Sequence, residues 1–419
     1  MKQCLINQKI QENGCLILQK FAKQNKNNRN TIRKLNGIKP IIKAMNNFPN
    51  NQDIQYKGCW ALWDIAAFNN ENKIEIRNLK GIEPIIKSMN NFPNNQDIQY
   101  QGCGALWSIA AFNNENKIEI RNLKGIEPII KAMNNFPNNQ NIQYQGCGAL
   151  KNISTNNENK IEIRNLKGIE PIIKAMNNFP NNQDIQKYGC GALWNIASNN
   201  EENRIEIRNL NGIETIIKAM NSFPNNQDIQ YQGCGALGNI AAFNNENKIE
   251  IRNLNGIEPI IKAMNNFPNN QDIQHKGCWA LWDIAAFNNE NQIEIRKLKG
   301  IESIIKAMNN FPNNQDIQYQ GCGALLNIAF NNEENKIEIR NLNGIETIIK
   351  AMNNFPNNQD IQNYGCGALW NIASNNEENK IKIRNLNGIE PIIKAMNNFP
   401  NNQDIQEKGK LVLEKLQKN

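Results

Sequence analysis

The pair Gly-Cys occurs at 14, 58, 102, 146, 189, 233, 277, 321 and 365, and Gly-Lys takes its place at 409. The step is 44 residues throughout, apart from one step of 43 between 146 and 189. No other feature of the chain limits its fold so strongly. A unit of this length is one supersecondary motif that cannot bury its own apolar faces, so it must stack on its neighbours. The 419 residues are therefore expected to form one array, where length alone would allow two or three separate domains.

Each unit reads as three helices. In residues 69–81, an Asn cap and Glu71 open a short segment carrying Ile74, Ile76 and Leu79, and Gly81 is expected to end it as a helix C-terminal glycine. Next comes "IEPIIKSMNNF", with Pro84 in the first turn, where a missing N–H costs nothing. Ile82, Ile85, Ile86 and Met89 fall at i, i+3, i+4 and i+7 and make one apolar face, with Glu83 and Lys87 paired outside. Phe92-Pro93 breaks that helix. "NNQD" reads as a capped start for a third helix from Gln96 to about Phe112, with Ile98, Cys103, Leu106, Ile109 and Ala110 inside. The fold class expected is all-α, a right-handed α-solenoid of about nine such units.

Nine of the ten cysteines share one repeat position. Neighbours one repeat apart are about 8–10 Å from each other, too far for a disulfide. They read as buried thiols of a reducing compartment, cytoplasmic or nuclear. No CxxC or Cys/His cluster suggests a metal, and no cofactor is expected. The lone His275 stands where other units have Tyr, and no nucleophile–base pair or phosphate loop is visible, so an enzyme is not expected. No apolar run reaches 18 residues, which excludes a membrane-spanning helix. The net charge of +8 is uneven: residues 1–50 sum to +9 and the rest to −1. A nucleic-acid binder needs a basic stripe along its length. This pattern reads instead as one polar, solvated end repeat.

Three helices in about 44 residues, a Gly-Ile-x-Pro second helix and a third helix reading "ALWNIA" resemble the armadillo repeat family. The resemblance runs from about residue 7 to 416. The units "GCGALWNIASNNEEN" at 189–203 and 365–379 most resemble armadillo adaptors of the vacuole-inheritance type, and more distantly importin-α and β-catenin. The resemblance implies a scaffold whose third helices line a concave groove for extended partner segments. In the importin-α branch a Trp, then an Asn four residues later, wall off pockets and hold the peptide backbone. Here the Trp position reads Trp60, Gly104, Gly148, Gly191, Gly235, Trp279, Gly323 and Gly367. The Asn position reads Asp64, Ser108, Asn152, Asn195, Asn239, Asp283, Asn327 and Asn371, and no unit holds both Trp and Asn.

Comparing the units with one another locates the variation. Gly58, Cys59, Ala61, Leu62 and Ile65 recur in every internal third helix, whereas Tyr56, Lys57, Trp60, Trp63, Asp64, Ala67 and Phe68 mark positions that change. Their spacing is one helical stripe. Arg77 recurs unchanged on the outside, so the stripe reads as a surface tuned unit by unit. All seven Trp lie on it: Trp60, Trp63, Trp107, Trp194, Trp279, Trp282 and Trp370. Exposed Trp marks interaction surfaces. Gly at the Trp60 position is expected to leave an open groove floor. The pairs Trp60/Trp63 and Trp279/Trp282 are expected as aromatic anchors, with Asp64 and Asp283 favouring basic or amide-bearing partners. The Asn column is expected in one line on the concave face, with amides free of intrahelical bonds and able to meet a peptide backbone.

The expected organisation is an N-terminal partial repeat or cap over residues 1–27, then nine units over 28–419, the last a C-terminal cap. The function expected is a non-enzymatic scaffold for a protein or peptide segment. The alternatives are a helical-repeat nucleic-acid binder or the armadillo portion of a larger protein.

Overall fold

The computed structural model describes residues 6–417. Residues 1–5, with Cys4 and the start of the expected N-terminal cap, and the last two residues of the expected C-terminal cap lie outside the described residues. The described residues hold 28 helices and no strand. The chain divides into two units, residues 1–215 and 216–419.

The first unit opens with α1 (Gln8–Gln24), followed by a trio: α2 (Lys26–Lys34), α3 (Ile38–Asn47) and α4 (Gln52–Ala66). The trios that follow repeat this plan, with third helices Gln96–Ala110, Gln140–Ile153 and Gln183–Ala197. In the second unit the third helices are Gln227–Ala241, Gln271–Ala285, Gln315–Ala329, Gln359–Ala373 and Gln403–Gln417. Within each unit successive third helices pack on one another, and second helices such as α3 pack on the third helix of their own trio. This stacking of helix trios is an α-solenoid.

Local chemistry explains the helix ends. Asn51 precedes α4, and its Oδ1 accepts the Ile54 N–H at 2.9 Å. Pro40 and Pro84 sit buried in the first turns of second helices. Where Ser303 and Thr347 replace that proline, the helix begins earlier, at Gly300 and Gly344. Ser303 N then donates to Lys299 O at 3.2 Å, a bond proline cannot make.

Gly81 departs from the expectation. The left-handed residue at that helix end is Lys80, with φ 56°, and no glycine has positive φ among the described residues. Gly81 is there for space: a Cβ would lie 2.7 Å from Ile42 Cδ1 and 2.9 Å from Ile76 Cγ2. Gly58 does the same for Met45, whose Cγ would be 2.5 Å from an added Cβ.

Two buried amides finish the trio, and neither was singled out in the sequence. Gln55 Nε2 donates to Met45 O at 2.7 Å and Phe48 O at 2.9 Å, closing the C-terminal carbonyls of α3. Asn72 Nδ2 donates to Ile65 O at 2.8 Å and does the same for α4. Gln99/Asn116 and Gln318/Asn335 repeat the arrangement. Helix ends buried by stacking would otherwise hold unpaired carbonyls.

Lysines of first helices reach the third helix of their own trio. Lys73 Nζ donates to Ala111 O at 2.7 Å and Lys248 Nζ to Ala286 O at 2.7 Å, each at a third-helix C-terminus. Burial pulls both ammonium groups below the usual lysine range. Arg77 pairs with Glu115 of the next trio at 3.2 Å, and the Arg33–Glu71 and Arg340–Glu378 pairs repeat it. Its constancy is therefore inter-repeat pairing, which corrects its use as a freely solvated reference for the variable stripe. The nine described cysteines are free thiols and buried, and burial pushes the Cys59 thiol up to about 12.

Candidate partner-binding surface

The variable stripe lies along the third helices, and all seven Trp are half-buried on it. What they touch changes the reading of the Trp/Gly alternation. A Cβ on Gly104 would lie 2.8 Å from the Trp63 ring, one on Gly148 2.6 Å from Trp107, and one on Gly323 2.7 Å from Trp282. Gly367 would come within 3.0 Å of Leu326 Cδ1. The glycine positions are thus seats for the large side chain of the preceding third helix. This corrects the expectation of an open floor.

The converse holds where Trp occupies the glycine position. The residues one repeat before Trp63 and Trp282 are Gln19 and Gly238. A Cβ on Gly238 would lie 3.3 Å from Ala280 Cα and 3.6 Å from Trp279 Cε3. Only one indole fits between adjacent third helices, and either helix can supply it. The signal was present in the sequence as a pairing across one repeat: Trp63 with Gly104, Trp107 with Gly148, Gly238 with Trp279. It is missed when the units are aligned and each column is read alone.

The Asn column is also engaged. Asn152 Nδ2 donates to Trp107 O at 3.2 Å and Asn195 Nδ2 to Lys151 O at 2.9 Å. In the second unit Asn327 Nδ2 donates to Trp282 O at 3.1 Å and Asn371 Nδ2 to Leu326 O at 2.9 Å. Asn239 and Asn371 are buried. Each bond ties a third helix to the one before it, so one N–H of each amide is committed between helices, and none of the four bonds is intrahelical. A primary amide carries two N–H donors and an acceptor oxygen. Asp64, which cannot donate, accepts from Gln19 Nε2 at 2.6 Å. Burial raises its carboxyl pKa, with the Gln19 bond opposing. Asp283 holds the equivalent position beside Trp282.

Tyrosines complete the surface. Trp107, Tyr144 and Tyr188 form a cluster of edge-to-face rings with centroids 4.8–5.5 Å apart. Trp282, Tyr319 and Tyr364 form its counterpart in the second unit, at 4.8–5.2 Å. Tyr188 and Tyr364 stand where Gln101, Gln145 and Gln320 stand in other trios. Lys151 Nζ lies 5.3 Å from the Tyr188 ring, and Lys276 Nζ 4.8 Å from Trp279. His275 lies beside Lys276, and burial first, then that ammonium, lowers its pKa. Trp60 and Trp63 do not join into one cluster: Trp60 rests against Tyr56 at 5.7 Å and Trp63 against Tyr100 at 5.4 Å. No group of His, Cys, Asp and Glu among the described residues could hold a metal ion, and no described helix is long and apolar enough to cross a membrane.

Stacked helix trios with a half-exposed aromatic stripe on successive third helices define a helical-repeat protein of the scaffold class. The model of the LRRK2 ARM repeat family matches residues 78–255 and 252–419, and the chain belongs to the armadillo-repeat family. A crystal structure of an engineered protein is 23% identical, with a TM-score of 0.85, over 99% of this chain and 97% of that one. A structure described by "A conserved phosphorylation switch controls the interaction between cadherin and beta-catenin in vitro and in vivo" is 13% identical, with a TM-score of 0.69, over 95% of this chain and 86% of the other. The designed armadillo repeat protein YIII(Dq)4CqI is 19% identical, with a TM-score of 0.53, over 59% of this chain and 99% of its own. No curated protein matches the chain by sequence.

Proposed function

We propose that this protein is a non-enzymatic adaptor that binds extended or helical segments of partner proteins along the third-helix stripe of a concave groove. The observation that carries the reading is the pair of three-ring clusters, one per unit, whose Trp and Tyr side chains stay half-exposed although they pack between helices. Buried core residues would not be left half wet, and aromatic side chains of this kind supply binding hot spots. The second N–H and the oxygen of Asn152, Asn195 and Asn327 would meet a peptide backbone beside the rings. One structurally similar protein was described in the context of the interaction between cadherin and beta-catenin. On this reading the cellular role is that of the vacuole-inheritance type of adaptor.

The clean probes are Tyr188→Gln and Tyr364→Gln, because other trios carry Gln at that position and fold around it. A peptide selected from a displayed library on the wild-type chain should bind each variant more weakly, by about 1–2 kcal/mol, as expected for an aromatic contact residue. Unchanged affinity in both variants would move the partner to another face. Truncating Trp282 is a poorer probe, since it also empties the seat over Gly323.

A further inference from the structure

The two three-ring clusters are one arrangement built twice, in different surroundings. Trp107, Tyr144 and Tyr188 hold the same repeat positions as Trp282, Tyr319 and Tyr364. The ring spacings agree, at 5.2, 4.8 and 5.5 Å in the first cluster and 5.1, 4.8 and 5.2 Å in the second. Asn152 and Asn327 flank the rings alike, each bonded to the carbonyl of its cluster's Trp. Asp184 and Asp360 stand one turn before the last Tyr in both. With rings, amide and that carboxylate held constant, what varies is the remaining charge around them.

In the first cluster Lys151 Nζ lies 5.3 Å and Lys187 Nζ 5.5 Å from the Tyr188 ring. The two lysines come from neighbouring third helices, Gln140–Ile153 and Gln183–Ala197, and both are half-buried. Two ammonium groups and three rings therefore share one surface. The second cluster has Leu326 and Asn363 at those two positions. There Lys408 lies 5.8 Å from the Tyr364 ring and donates to Asn363 Oδ1 at 2.7 Å, while Lys276 lies over Trp279. Acids are distributed in the opposite sense. Asp283 and Asp316 stand where the first cluster has Ser108 and Asn141. Burial first, then Tyr364, Asp360 and Asp283, holds the Tyr319 phenol above the usual tyrosine range, which puts the charge of Asp283 within reach of the rings beside it.

We propose that the Trp107–Tyr144–Tyr188 cluster takes a partner segment in which Asp or Glu flanks an apolar side chain, and that the Trp282–Tyr319–Tyr364 cluster disfavours that segment. The apolar side chain rests on the exposed part of the rings, and the ammonium groups of Lys151 and Lys187 meet the carboxylates. Complementary charge at the edge of an apolar contact fixes the register of a partner and excludes wrong ones. Asp283 and Asp316 repel the same segment, and repulsion of this kind is how similar sites keep partners apart. A nucleic-acid strand stacks its bases on open ring faces, whereas these rings cover one another edge to face. The inference rests on the adaptor reading and adds the chemistry of the partner.

The test is a displayed peptide library of unbiased composition, selected on the full chain, with the enriched peptides titrated against variants. Lys151→Leu/Lys187→Asn gives the first cluster the residues that the second already carries, so its circular dichroism should match the parent. The enriched peptides should hold Asp or Glu beside an apolar residue. They should lose about five- to thirtyfold in affinity on Lys151→Leu/Lys187→Asn, and the loss should shrink as salt rises. They should weaken more on Tyr188→Gln than on Tyr364→Gln. Replacing the acids of a peptide by their amides should remove the difference between parent and lysine variant. A library without enrichment, or peptides that ignore both Tyr variants, would sink the adaptor reading and this inference with it. Peptides that depend on Tyr188 yet show no acidic bias, or that bind the lysine variant as tightly as the parent, would overturn the charge assignment alone. So would a loss that persists with the amide peptides, or displacement of a peptide by an equal concentration of oligouridine.

Discussion

The interlock between Trp63 and Gly104 can be tested by exchanging the two residues. Gly104→Trp alone places a Cβ 2.8 Å from a fused ring carbon that has no freedom to move aside. Overpacking of this kind costs about 1–3 kcal/mol. Trp63→Gly alone empties the seat: removing a fully buried Trp costs about 3–5 kcal/mol, and a half-buried ring roughly half of that. Glycine in a helix interior adds up to about 1 kcal/mol. The two single variants together should lose about 5 kcal/mol if the sites are independent. The double variant Trp63→Gly/Gly104→Trp instead recreates the arrangement found at Gly238 and Trp279, where the indole comes from the following helix. It should lose only about 1–2 kcal/mol, a coupling of roughly 3 kcal/mol, well above what separated residues show. Urea denaturation of the four proteins, followed by far-ultraviolet circular dichroism, measures it. Additive losses would mean that the alternation is not an inter-helix exchange, and the packing account of the stripe would fail.

Other consequences follow from the same packing. Burial raises the thiol pKa of the nine described cysteines, Cys59, Cys147 and Cys190 among them to about 12, from an ordinary 9.0. A raised folded-state pKa means stability that is intact below pH 9 and lost as pH climbs through the folded value, at about 1.4 kcal/mol per pH unit for each thiol. Buried Lys73, Lys160 and Lys248 and half-buried Lys117 and Lys276 act oppositely, regaining stability as pH approaches the unfolded lysine value, but they are fewer. The melting temperature should therefore fall steeply above pH 9, and a flat profile to pH 10.5 would contradict the burial of the thiols. Phe68 and Phe112 are 91% and 97% exposed with φ of 54° and 57°, where Asn199 and Asn375 hold the same turn. Phe68→Asn should stabilise the fold by about 1 kcal/mol, since Asn tolerates the left-handed region; a destabilised variant would show that the ring has a packing role. Gln99→Leu removes both bonds to Met89 O and Phe92 O and should cost about 2–3 kcal/mol, read as a lower urea midpoint.

The period, the three helices per trio and the buried face of each could be read from the residues, because each depends on local chemistry or on spacing along one helix. Asn51, Pro84 and the Ile82–Met89 face act within a few residues of themselves. The buried thiols followed from one fixed repeat position. The charge surplus of the first 50 residues was also visible. Gly81 was assigned to a helix end by its position, whereas its role is to admit Ile42 from the trio before. Gln55 and Asn72 carry no distinguishing signal in the sequence, and stacking placed them over carbonyls that water could no longer reach. The Trp/Gly alternation and the Asn column were visible as variation, yet their meaning lies between helices one repeat apart. Column-by-column reading treats such residues as independent. Only the packed structure shows that one indole fills one seat, that either neighbour can provide it, and that the ring left half-exposed is what the surface has to offer a partner.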